Sequence, residues 1–133
     1  MLDEHVELWR HVWRDAVAPE LSTEGLRALE RGLVEGDPRL IQGETTLPAP
    51  APHLGDLEVE AACPLGYTGW QGDGLKTVGE VDEYVGDLCA AIDQRLGEPA
   101  GCNRFLDWVD HVSWTLVRPL LLDEVRRALA LRG

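Results

Sequence analysis

The chain is poor in cationic side chains. Against 24 Asp and Glu it carries 12 Lys and Arg, of which Lys76 is the lone lysine, and the formal net charge is −12. Affinity for nucleic acid or an anionic membrane rests on Lys and Arg neutralising phosphates, so direct binding to either is disfavoured. An apolar run of eighteen or more residues is also missing, and the start "MLDEHVELWRHVW" is acidic and amphipathic. Neither a membrane span nor a secretory signal is predicted, and a soluble cytoplasmic protein is expected. Cysteine is scarce: Cys63, Cys89 and Cys102 are odd in number and show neither a disulfide framework nor zinc-ligand spacing, so free, mostly buried thiols are expected.

Catalytic signatures are missing as well. No G-x-x-x-x-G-K-[ST], no G-x-G-x-x-G after a strand, no H-E-x-x-H and no Glu three residues before any of His5, His11, His53 or His111 occurs. Asp107 and His111 stand one helical turn apart beside Asp110, a spacing that suits a surface hydrogen bond better than a metal site. In a helix Cys102 and His111 would be about 13 Å apart along the axis, too far for a nucleophile and its base. No catalytic residue, metal or cofactor is assigned.

What is present is helical periodicity. The length of 133 residues suits one domain able to bury a core of its own. Val6, Trp9, Val12, Trp13, Ala16 and Val17 form one apolar stripe, with Asp3, Glu4, Glu7, Arg10 and Arg14 on the other faces and a stop predicted before Pro19. Leu26, Leu29, Leu33 and Val34 form a second, between a Ser22 or Thr23 cap and Gly36. Residues 1–36 therefore read as a helical hairpin.

Residues 43–76 read as an irregular Pro/Gly-rich connector. "GETTLPAPAPHLG" resists a regular helix. Leu57, Val59, Ala61 and Cys63 alternate as in a strand, but without a clear partner strand a helix or irregular path is favoured. The run "PLGYTGWQGDGLKT" matches no phosphate cradle and reads as a tight connector, with Trp70 a candidate recognition knob.

Residues 77–132 read as helices again. "TVGE" has capping-box form at Thr77 and Glu80. Val81, Tyr84, Val85, Leu88, Ile92 and Leu96 then make a core stripe ended by Gly97 and Pro99, with Glu80, Glu83, Asp87 and Gln94 on the opposite side. Phe105, Leu106, Trp108, Val109 and Val112 form the next apolar face. A last helix carries Leu121, Leu122, Val125, Leu129 and Leu131 and is predicted to start at Pro119. The fold class expected is mainly α: a compact single-domain bundle of about five helices with an irregular Pro/Gly-rich centre and a short strand an option near 57–63.

The charge is unevenly spread. Between Leu40 and Gln94 ten acids stand against Lys76 alone, whereas Arg118, Arg126, Arg127 and Arg132 make the C-terminal end basic. Charge asymmetry steers association, so a non-catalytic interaction protein is expected: an adaptor, accessory subunit or inhibitor docking on a basic surface of a larger protein. Trp70, Asp73, Glu80, Glu83 and Asp87 are the candidate partner-binding residues. The alternatives are a nucleic-acid mimic that inhibits a nucleic-acid-binding enzyme, and a small enzyme or ligand-binding domain using the Gly66–Gly74 loop.

Overall fold

The computed structural model describes residues 4–133, with side chains from residue 8 onward. Asp3, and the side chains of Glu4, His5, Val6 and Glu7, lie outside the described residues. Six helices and one two-residue ladder build a mainly α bundle among the described residues.

Helix α1 runs Glu4–Val12, widens into a π turn at Trp13–Val17 and closes with Ala18–Glu20. It therefore passes Pro19, where a stop is predicted from sequence. Proline gives no N–H, and its ring would strike the carbonyl four residues back in a regular α-helix. The π turn, in which the Ala18 N–H donates to the Trp13 carbonyl, shifts that register and absorbs the conflict. Trp9, Val12, Trp13, Ala16 and Val17 are buried, as their spacing predicts.

Helix α2, Thr23–Glu35, starts where Ser22 Oγ accepts the Gly25 N–H at 2.8 Å and ends at Gly36 in the left-handed conformation. Leu26, Leu29 and Leu33 are buried, but Val34 is 48% exposed. α2 packs on α6 and on the glycine turn after α3, while α1 packs on α5. The expected N-terminal hairpin is thus opened: its two helices pack mainly on elements of the C-terminal half rather than on each other.

The proline-rich segment holds the partner strand that the sequence does not reveal. β1 (Thr46–Leu47) pairs antiparallel with β2 (Ala61–Ala62), Thr46 opposite Ala62 and Leu47 opposite Ala61. Ala62 is also bridged by Leu40, and Glu58 by Thr77. The preference for helix or irregular structure across 57–63 is corrected at these two residues: the Ala62 N–H and carbonyl bond Arg39 and Ile41, and the flanking Glu60 and Cys63 N–H groups donate to the Leu47 and Thr45 carbonyls of the proline-rich strap.

The glycine run differs more. α3, Pro64–Tyr67, continues into a π turn at Thr68–Gly72, and residues 64–69 are buried. Its glycines serve close packing. A Cβ on Gly72 would lie 2.5 Å from the Gly25 Cα, and one on Gly69 would lie 2.6 Å from the Tyr84 ring. A chain that reads locally as a connector is a core element, because glycine permits the approach that a side chain would block.

Helix α4, Val78–Leu96, carries both capping-box bonds and ends at Gly97 in the left-handed conformation. Val81, Val85, Leu88 and Ile92 are buried, with Tyr84 and Leu96 packed at the margin of the core. α5 spans Gly101–His111 and α6 Trp114–Leu131. α6 begins before Pro119, contrary to the start predicted there. The Leu116 and Val117 N–H groups both bond the Ser113 carbonyl and nucleate the helix earlier. Pro119 has no N–H to offer the Thr115 carbonyl one turn back, and Thr115 is exposed.

Candidate functional site

Of the ten acids between Leu40 and Gln94, nine are exposed, and Asp93 alone is half-buried. The ion pairs among the described residues draw their carboxylates from elsewhere: Asp15, Glu20, Glu24, Glu30, Asp37, Glu98 and Glu124. Among the described residues, seven of the eleven arginines pair with these other carboxylates. Among the described residues, no carboxylate of the acidic middle takes part in an ion pair.

The outer side of α4 is the ordered part of this surface. Opposite the Val81, Val85, Leu88 and Ile92 stripe stand Glu83 and Asp87, with Asp82 on the flank beside Pro50 and Pro52, all three exposed. Among the described residues nothing forms a hydrogen bond or ion pair with their carboxylates. Gly86 lies between them with no neighbour within 4 Å of a built Cβ, so the helix backbone is open to close approach there.

Glu80 has a different role. Its Oε1 accepts the N–H groups of Lys76 at 3.1 Å and Thr77 at 3.0 Å, and Thr77 Oγ1 accepts the Glu80 N–H at 3.2 Å. The Lys76 and Thr77 amides, followed by the Thr77 hydroxyl, hold the Glu80 carboxyl below its ordinary value. Glu80 thus anchors the helix start while contributing charge to the same end.

Asp73 is exposed and accepts a 2.6 Å bond from Ser22 Oγ, joining the end of the glycine turn to the cap of α2. Trp70 is half-buried. Its ring meets Tyr67 edge-on at 6.0 Å, and the Arg39 guanidinium lies 5.2 Å from its centroid. Arg39 in turn grips Asp37 through Nε at 3.0 Å and Nη2 at 2.9 Å, and Tyr67 Oη donates to Asp37 at 2.7 Å. The Arg39 bonds, opposed by burial, keep the Asp37 carboxyl well below the usual carboxylate range. Trp70 is therefore held in a fixed corner with one cation on its face.

The catalytic arrangements considered from sequence are not assembled. His111 Nδ1 lies 3.0 Å from the Asp107 backbone oxygen rather than from its carboxylate, and Cys102 turns toward Cys89. Among the described residues no group of three His, Cys, Asp or Glu side chains is arranged to hold a metal ion. A Cβ on Gly66, Gly69 or Gly72 would stand less than 3.1 Å from packed protein, whereas one on Gly74 would meet nothing within 4 Å. No described helix is long and apolar enough to cross a membrane.

Two features escaped the sequence reading. One is the buried Glu124, which accepts from Arg14 Nε at 2.9 Å and Nη2 at 2.8 Å and pairs with Arg10 at 3.2 Å. The other is the Cys89–Cys102 contact. A groove of about 590 Å³ between the end of α2 and α6, lined by Leu33, Val34, Trp114, Arg118, Leu122 and Arg126 among others, contains no residue of α4. Comparison with known protein families, with curated proteins and with solved structures finds no match for this chain.

Proposed function

We propose that the protein is a non-catalytic acidic interaction protein, an adaptor, accessory subunit or inhibitor, that docks through the outer face of α4 on a basic surface of a larger protein. The observation that carries this reading is the division of charge. The described ion pairs use carboxylates outside residues 40–94, whereas Asp82, Glu83 and Asp87 stand exposed and uncompensated on one rigid helix. Exposed like charges repel one another and weaken the fold slightly, and a cationic partner relieves that repulsion while gaining electrostatic steering. Trp70, at the Arg39 corner, supplies the apolar contact for such a partner, and Asp73 and Glu80 add charge beside it.

The test is affinity capture with tagged protein from the native source, followed by binding kinetics on the captured partner. Glu83→Lys with Asp87→Lys should slow association by on the order of tenfold or more with little effect on folding, and added salt should weaken the wild-type complex. Trp70→Ala should instead speed dissociation. Binding that ignores both charge reversal and salt would reduce the acidic surface to a solubility device. Competition with DNA or RNA for one site on the partner would mark the protein as a nucleic-acid mimic.

A further inference from the structure

α4 and α5 meet at a tight corner that brings two sulfurs together. Gly97 ends α4 at φ 70°, and Ala100 takes φ 62° immediately before α5. Asp93 reaches across this corner from the last turn of α4. One carboxylate oxygen accepts the Cys102 N–H at 2.7 Å and the other the Ala100 N–H at 3.2 Å. Cys89 precedes Asp93 by four residues and so shares its face of α4. The bond that fixes the first turn of α5 therefore also sets Cys102 over Cys89. Their Sγ atoms are 2.9 Å apart, with the Cys102 thiol donating. That is less than an ångström beyond the about 2.05 Å of a disulfide bond.

We propose that Cys89 and Cys102 are a redox-active dithiol that closes to an intramolecular disulfide, tying α4 to α5, by exchange with a low-molecular-weight disulfide. Cys89 is the attacking sulfur. It is half-buried where Cys102 is buried, and it accepts the hydrogen bond that Cys102 donates. That bond outweighs partial burial and holds the Cys89 thiol below its ordinary value. The Cys89 thiolate attacks one sulfur of the small disulfide, whose S–S bond breaks, and the departing thiolate takes up the proton lost from Cys89. Cys102 then gives up its proton and attacks Cys89 Sγ, expelling the second small thiolate, which takes that proton. Two electrons pass from the cysteine pair, and one small disulfide becomes two small thiols. Cys63 stays outside the exchange: it is buried, and burial pushes its thiol up to about 11.

The experiment incubates the native protein with oxidised glutathione, blocks remaining thiols under denaturing conditions and maps them by peptide mass. Expected are loss of two thiols, a Cys89–Cys102 crosslinked peptide, Cys63 recovered blocked, full reversal by a dithiol reductant, and a Tm several degrees higher for the oxidised form. Cys102→Ser should stop at the mixed disulfide on Cys89. If that variant does not fold, the wild-type peptide map alone decides. Three thiols recovered after exposure that oxidises the unfolded chain, a stable mixed disulfide in the wild type, or a crosslink involving Cys63 would each overturn the proposal.

Discussion

The indole rings of Trp9 and Trp108 stack face to face, with centroids 3.6 Å apart and planes 4° from parallel. Trp9 is buried, Trp108 is half-buried at the margin of the core, and Trp13 continues the seam against Phe105 at 5.5 Å. This aromatic seam fastens α1 to α5. Trp108→Ala should therefore cost about 3 kcal/mol in urea unfolding, through lost apolar area and a cavity over Trp9. A loss under about 1 kcal/mol would show that α1 is held by other contacts.

Glu124 sits at 5% exposure between Arg10 and Arg14. Burial pushes its carboxyl up, but the Arg14 bonds and the charges of Arg14, Arg10 and Arg127 prevail and hold it below its ordinary value of 4.5. A carboxyl depressed by folding contributes stability that is fully present above its unfolded value and disappears as pH falls through the folded one. Glu124→Gln should thus lower stability by about 1–3 kcal/mol at neutral pH. The gap between variant and wild type should close as the solution is acidified below about pH 4, read from unfolding curves across pH. A gap independent of pH would assign the loss to packing instead of charge.

Two glycine substitutions should act in opposite directions. Gly72→Ala places a Cβ 2.5 Å from the Gly25 Cα, and since neither backbone can step aside, a loss of about 2 kcal/mol or more is expected. Gly86→Ala meets nothing within 4 Å on the exposed side of α4 and should raise stability by about 0.5–1 kcal/mol. Thermal melts of the two variants side by side check both signs.

Thr77→Ala should cost about 1 kcal/mol, because Thr77 Oγ1 is the acceptor for the Glu80 N–H. Amide exchange should quicken in the first turn of α4 and not in its middle. An unchanged melting temperature would place the helix start elsewhere.

What the sequence determined by itself lies within a few residues along the chain. The stripes of α1, α2 and α4, the Ser22 cap, the Thr77 and Glu80 capping box, and the left-handed Gly36 and Gly97 all follow from side chains three or four residues apart, the distance at which helical geometry acts. The exposure of Glu83 and Asp87 was legible for the same reason, since helical phase places them away from Val81 and Leu88. That no ion pair reaches them among the described residues was not, because it depends on where the arginines of other helices point. Only tertiary structure decided that the proline-rich strap would pair with Ala61–Ala62, that Gly25 and Gly72 would touch, that Arg14 would reach a carboxylate 110 residues away, and that Cys102 would close on Cys89. Such contacts join segments whose local patterns are mutually silent, and they form because burial of shared apolar surface, not sequence spacing, selects which faces meet.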